Sequence, residues 1–240
     1  MAILGMAGLL PEFHRYFGHS EKNRLTETLP LLPPDEMFQW LDRTQDELLT
    51  TFENGFKKGK QFGHQHLFLC GIANRTLVQT RAFKQCVEDR NSLVATALLR
   101  LQLDTALRLY ALFWVTDPNT FSEEVFKGVQ IDRLKAADGK QMKDKYLRDK
   151  LVVRYPWVET VYKQTSGSIH FSSRHILEAF EINDAETGSF TLQLGPNKPN
   201  QPIEEYADCL AAFQHINLII LAAVQDWFER FDVFVGTDVN

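Results

Sequence analysis

The sequence predicts a mainly α protein, a helical bundle with a small β-hairpin between its penultimate and last helices. Three observations predict it. Long stretches repeat their apolar residues at helical spacing. Residues 180–194 switch to a period of two. The chain is 44% hydrophobic and only 24% charged, enough apolar material for a core and too little charge for a disordered chain.

Residues 1–34 read as an N-terminal extension and Pro-rich linker. A short helix is expected around Phe13-His-Arg-Tyr-Phe17, and Pro30, Pro33 and Pro34 stiffen the linker by fixing φ and removing donors. Residues 35–240 read as one helical-bundle domain. Asp35 is placed to cap its first helix, with Met37, Leu41, Leu48 and Phe52 on the apolar side and Gly55 or Gly59 near the end. Lys57 and Lys58 fall where the helix dipole favours cations.

A second helix is expected over Gln65 to Asp89. A third runs from about Asn91 to Thr116 and stops at Asp117-Pro118, because the residue before proline avoids the α region. This third helix is apolar nearly all round, as suits the middle of a bundle. Its charged residues Arg100, Asp104 and Arg108 form a single stripe at i, i+4, i+8.

Residues 121–166 hold two or three shorter helices broken near Gly128, Gly139 and Pro156. In the hairpin, Phe180 and Ile182 alternate with polar residues, a turn-rich Asn183 to Ser189 comes next, and Phe190, Leu192 and Leu194 alternate again. A Pro-rich loop, 195–202, leads to a last helix from about Ile203 to Phe234, whose run Ile216 to Val224 has a buried character.

Several function classes are disfavoured. A net charge of −5 and a pI near 5.8 speak against a dedicated nucleic-acid binder. The three cysteines, Cys70, Cys86 and Cys209, are odd in number and widely spaced, which suits a reducing compartment. The apolar start, Met1 to Leu10, has no Lys or Arg before Arg15, unlike a secretory signal, and no run approaches 18 uninterrupted apolar residues. The expected location is therefore cytoplasmic, with no membrane span. No phosphate-cradling glycine loop or dinucleotide fingerprint is present, so no cofactor is expected. His64-Gln-His66 and the nearby Cys70 lack a second ligand pair at zinc spacing, so no metal site is assigned.

The candidate chemistry lies in Tyr162-Lys-Gln-Thr-Ser166-Gly-Ser-Ile-His170. If this segment is helical, Tyr162, Ser166 and His170 share one face, with Cβ atoms ~5–6 Å apart from one turn to the next. His170 is the best catalytic candidate, because an imidazole titrates near neutrality; a hydrogen-bonded structural role is the competing reading. There is no Gly-x-Ser-x-Gly elbow to make Ser166 a hydrolase nucleophile. Arg174 lies close by in the chain and adds an anion contact. Arg100 either pairs with Asp104 or reaches another helix, since an unpaired buried guanidinium is costly. The stripe it belongs to is either a solvated face or one side of an interhelical polar cluster with Tyr162, Ser166 and His170. Residues 132–154 carry eight basic side chains against four aspartates, a local excess of +4 read as a solvated face rather than a phosphate patch.

Two segments together resemble bacterial helical families of unassigned function, distantly similar to HEPN (nucleotide-binding) and AbiV-type abortive-infection proteins. One is Leu98-Leu-Arg100-Leu-Gln-Leu-Asp104 with the apolar helix ending in Tyr110 to Trp114. The other is Tyr162-x3-Ser166-x3-His170-Phe-Ser172, then a β segment closing in Leu194-Gly195-Pro196. The likeness covers roughly residues 85–225. It implies a helical bundle, often a homodimer, sometimes a ribonuclease in defence systems, with RNA or a nucleotide as ligand. HEPN ribonucleases carry Arg-x4–6-His on one helix, and no Arg of this chain stands at that distance before a His. The resemblance therefore extends to the fold and not to the nuclease activity.

The expectation is a binding or regulatory bundle built around Arg100, Asp104, Tyr162, Ser166 and His170. The alternative is a metal-independent ribonuclease in which His170 is the base and Arg100 or Arg174 stabilises charge on phosphate.

Overall fold

A computed structural model describes residues 32–58, 62–184, 189–192, 194–195 and 201–230. Residues 1–31 of the N-terminal extension and linker, with the helix expected at Phe13 to Phe17, lie outside the described residues, as does 231–234 at the end of the expected last helix.

The protein is mainly α. Helix α1 spans Pro34–Lys58, α2 His64–Glu88, α3 Ser92–Ala111, α4 Pro118–Phe126, α5 Asp144–Arg154, α6 Trp157–Thr165, α7 Ser173–Leu177 and α8 Ala207–Glu229. Strands β1, Phe180–Asp184, and β2, Ser189–Leu192, pair antiparallel between α7 and α8, with Phe180 opposite Leu192 and Ile182 opposite Phe190. The hairpin thus lies where the alternation predicts it, although pairing ends at Leu192 and leaves Leu194 exposed.

Boundaries differ from the sequence reading for local reasons. Helix α1 starts at Pro34, so Asp35 is a first-turn acid rather than the cap; proline's fixed φ suits the first helical position. Helix α3 has its cap at Asn91, whose side chain accepts the Val94 N–H at 3.1 Å, and tightens into a 3-10 turn over Leu112–Trp114 rather than reaching Thr116. A 3-10 turn, Ile203–Tyr206, precedes α8. Between α2 and α3 the chain reverses at Arg90, whose φ of 59° is the left-handed value that usually selects glycine. Its guanidinium holds the Val87 and Glu88 carbonyls and reaches the Gln201 carbonyl at 3.1 Å, which ties this corner to the loop before α8. At the end of α4 the same reversal falls to Gly128, at φ 91°.

Helix α3 is central: α2, α5, α6 and α8 all pack on it, and α1 covers α8 from the other side. One apolar cluster joins Met37 and Leu41 of α1, Leu69 and Phe83 of α2, Leu99, Leu103 and Leu107 of α3, Leu112 of the 3-10 turn after it, Leu147 of α5, Val161 of α6 and Phe213 and Trp227 of α8. Phe83 stacks on Phe213 at 3.9 Å between centroids. At Gly55 a Cβ would run into the Phe228 ring, so α1 and α8 approach closely there. The segment Ile203–Glu229 is long and apolar enough to cross a membrane by length and composition, with mean hydropathy 1.6 in its most apolar window. That window is 83% buried inside the protein, where α8 serves as the core helix.

Candidate functional site

Arg100, Asp104 and Arg108 lie one turn apart in succession on α3, facing α5 and α6. The stripe is not a solvated face. Arg100 is only 4% exposed, and the Asp104 and Arg108 side chains are 20% exposed each. Helix α5 closes over them because Leu147 and Leu151 bury into the core, and their spacing brings Asp144 and Arg148 to the same edge. Helix α6 does likewise through Trp157, Val158, Val161 and Thr165, which leaves Tyr162 half-buried beside α3.

Arg100 and Tyr162 meet. The guanidinium carbon stands 4.3 Å from the ring centroid, and that of Arg148 stands 5.1 Å from the same ring. A cation over a desolvated aromatic face contributes about 2 kcal/mol. The carboxylate nearest Arg100 is not Asp104 but Asp144, the first residue of α5, with 3.5 Å between Nη2 and Oδ2. Arg108 also donates to Asp144, and bridges to Asp104 at 3.1 Å. Asp104 additionally faces Arg75 of α2 at 3.4 Å. Arg148 is held by Asp149 at 2.7 Å and by Glu159 at 3.2 Å; these carboxylates raise its pKa further above its already high ordinary value, the Asp149 hydrogen bond most of all. Two guanidinium donors stay unspent: the Arg100 Nε and the Arg108 Nη1 are buried and meet no acceptor among the described residues.

Ser166 and His170 do not join this cluster. Helix α6 ends at Thr165, where φ −100° and ψ −9° depart from ideal helical values, and a 3-10 turn over Ser166–Ser168 leads into a bend at 169–170. Ser166, Gly167 and Ser168 compete poorly as helix formers, which breaks the register that would align His170 with Tyr162. Ser166 is exposed and donates to the Lys163 carbonyl at 3.0 Å. His170 is exposed, and no hydrogen bond or ion pair joins it to a described residue. Arg174 sits on α7, and its side chain lies outside the described residues. In the basic 132–154 segment every Lys and Arg is exposed except the half-buried Arg148.

Two groups of polar residues escaped the sequence reading. Asp144 and Arg148 counted only as charge, yet their spacing with Leu147 and Leu151 marks the buried edge of a helix. Deep in the bundle, Gln102 donates to Asn217 at 2.6 Å, Asn217 donates to Thr80 at 3.1 Å, and Thr80 donates to the Thr76 carbonyl at 2.7 Å. Also buried, Gln214 donates to Thr44 at 2.7 Å. The signal was a lone amide inside an apolar run, Gln102 among leucines and Asn217 after Ile216.

His66 is buried, and its Nδ1 accepts the Gly63 N–H at 2.8 Å, while its ring stacks on Phe62. Burial holds its pKa below the ordinary histidine value. His64 packs against Phe126. Among the described residues no group of three or more His, Cys, Asp or Glu side chains is arranged to hold a metal ion.

No family model, curated protein or solved structure matches the chain.

Proposed function

We propose that this protein is a binding or regulatory helical bundle of the abortive-infection/HEPN-like type, acting through the polar cluster where α3, α5 and α6 meet. The observation that carries this reading is Arg100: a guanidinium nine-tenths buried, stacked on Tyr162, with a donor unspent. Burying such a group costs several kcal/mol in desolvation, so a purely structural helix contact would be met more cheaply by an apolar side chain. The mainly α architecture with its hairpin agrees with the fold that the resemblance implies.

In this reading the protein is a cytoplasmic homodimer, and His170 plays no catalytic part. The dimer part rests on exposed apolar residues of α2 and α3, Val78, Val94 and Leu101, and a mass measurement in solution tests it.

Ribonuclease chemistry would require His170 to be oriented as a base next to a phosphate-binding arginine. Incubating purified protein with mixed RNA between pH 5 and 9 tests this. The expected result is no cleavage, with His170→Ala changing stability by less than about 0.5 kcal/mol, as for other exposed side chains. Cleavage abolished by His170→Ala would overturn the binding reading.

A further inference from the structure

We propose, resting on that binding reading, that the N-terminus of α5 together with Arg100 and Arg108 forms a site for a phosphate group, and that Asp144 occupies this site in the free protein. Three features support this site. Among the described residues, Arg75, Arg100 and Arg108 pair with Asp104 and Asp144 alone, an excess of one positive charge. The Arg100 Nε and Arg108 Nη1 donors are buried and unspent. The first turn of α5 has no side-chain cap, since Lys143 precedes it, and its free backbone N–H groups suit an anion.

Asp144 bridges Arg100 and Arg108 with one carboxylate oxygen each, which is the position an anionic ligand would take. It is also the replaceable member. Its side chain is 41% exposed, whereas Met142 and Leu147 on either side are buried and hold the backbone in place. Rotation of Asp144 into solvent would release the Arg100 and Arg108 Nη2 groups that it now holds, while Tyr162 still covers Arg100 and Asp104 still holds Arg108. The Asp144 carboxylate offers two acceptor oxygens to the Arg100 and Arg108 Nη2 groups, and a phosphate in its place offers more, with acceptors to spare for donors that the carboxylate leaves unused.

The test is a titration of the full protein with inorganic phosphate, with chloride at matched ionic strength as control. It follows the Nε–H resonance of Arg100, the Nη–H resonances of Arg108 and the amide resonances of residues 144–146. Saturable shifts confined to these groups are expected, and Asp144→Asn is expected to tighten phosphate binding about tenfold by removing the internal competitor. Arg108→Lys keeps the charge but loses the planar fork, and is expected to weaken binding about tenfold; it serves as the test should Asp144→Asn not fold. Phenyl phosphate binding more tightly than the free ion assigns a phosphate monoester, and equal binding assigns the free ion.

Non-saturable shifts, or an affinity indifferent to both substitutions, overturn the proposal. If RNA then stays uncleaved, the binding reading survives with a different ligand. Cleavage dependent on His170 removes both.

Discussion

Helix α3 presents polar side chains to two different sets of neighbours, and the two sets solve the burial problem in opposite ways. Toward α2 and α8, Gln102 starts a neutral chain through Asn217 and Thr80, each less than 2% exposed, in which every bond has a clear donor and acceptor and only the Gln102 Oε1 acceptor is left without a donor among the described residues. Toward α5 and α6, Arg100 and Arg108 enter a charged cluster whose outer member, Asp144, is partly solvated and whose donors are not all used. The neutral chain is sealed, so its value is in specifying how the helices sit. The charged cluster has both spare donors and a solvent-facing side chain, which are the properties a ligand needs. Position on the helix, not residue polarity as such, separates a packing device from a binding device.

The largest expected effect breaks the sealed side. Asn217→Ala strands the Gln102 amide and opens a cavity, and is expected to cost about 3 kcal/mol in urea unfolding. Replacing both Gln102 and Asn217 by leucine should cost less than the sum of the single replacements, because both partners disappear together. Additive losses would remove the coupling from the comparison.

A smaller effect is expected on the charged side. Tyr162→Leu keeps apolar cover over Arg100 but removes the ring's negative face, and should cost about 1–2 kcal/mol. Adding Arg100→Met should recover most of that loss, since the charge alone requires the ring, and Asp144 retains Arg108. A double variant less stable than Tyr162→Leu would show that the guanidinium is a net stabiliser, and the contrast between the two sides of α3 would fall.

The smallest effect concerns a buried neutral side chain elsewhere, His66. Its folded pKa lies below the unfolded value of about 6.5, so its contribution is complete above that pH and is lost as pH falls from there through the lower folded pKa. Between pH 7 and 5.5 a loss of up to about 1 kcal/mol is expected, and His66→Gln should flatten that slope. Protonation also removes the Nδ1 acceptor for the Gly63 N–H, so the same pH fall should speed amide exchange at Gly63.

Helix positions and the hairpin were legible because they depend on local period and on punctuation. Leucine spacing marked α3, Asn91 and Asp117-Pro118 marked its surroundings, and alternation marked β1 and β2. The site was legible in part. The Arg100 stripe and Tyr162 were found, and the structure joins them. The extension of that row to Ser166 and His170 failed because a helical register persists only while the backbone stays helical, and Ser166-Gly167-Ser168 ends it. Asp144 was visible only as a charge, because nothing along the chain says that position 144 lies against positions 100 and 108.

The sequence by itself thus determined the longer helices, their apolar faces, the hairpin and the placing of charge along α3, since each depends on short-range sterics and periodic burial; it did not mark the short α7. Tertiary structure alone decided which carboxylate answers Arg100, which ring covers it, and that one face of α3 is sealed while the other borders solvent. Those outcomes depend on how α5, α6 and α8 dock on α3, and docking is set by the summed burial of many side chains rather than by any residue's neighbours in the chain.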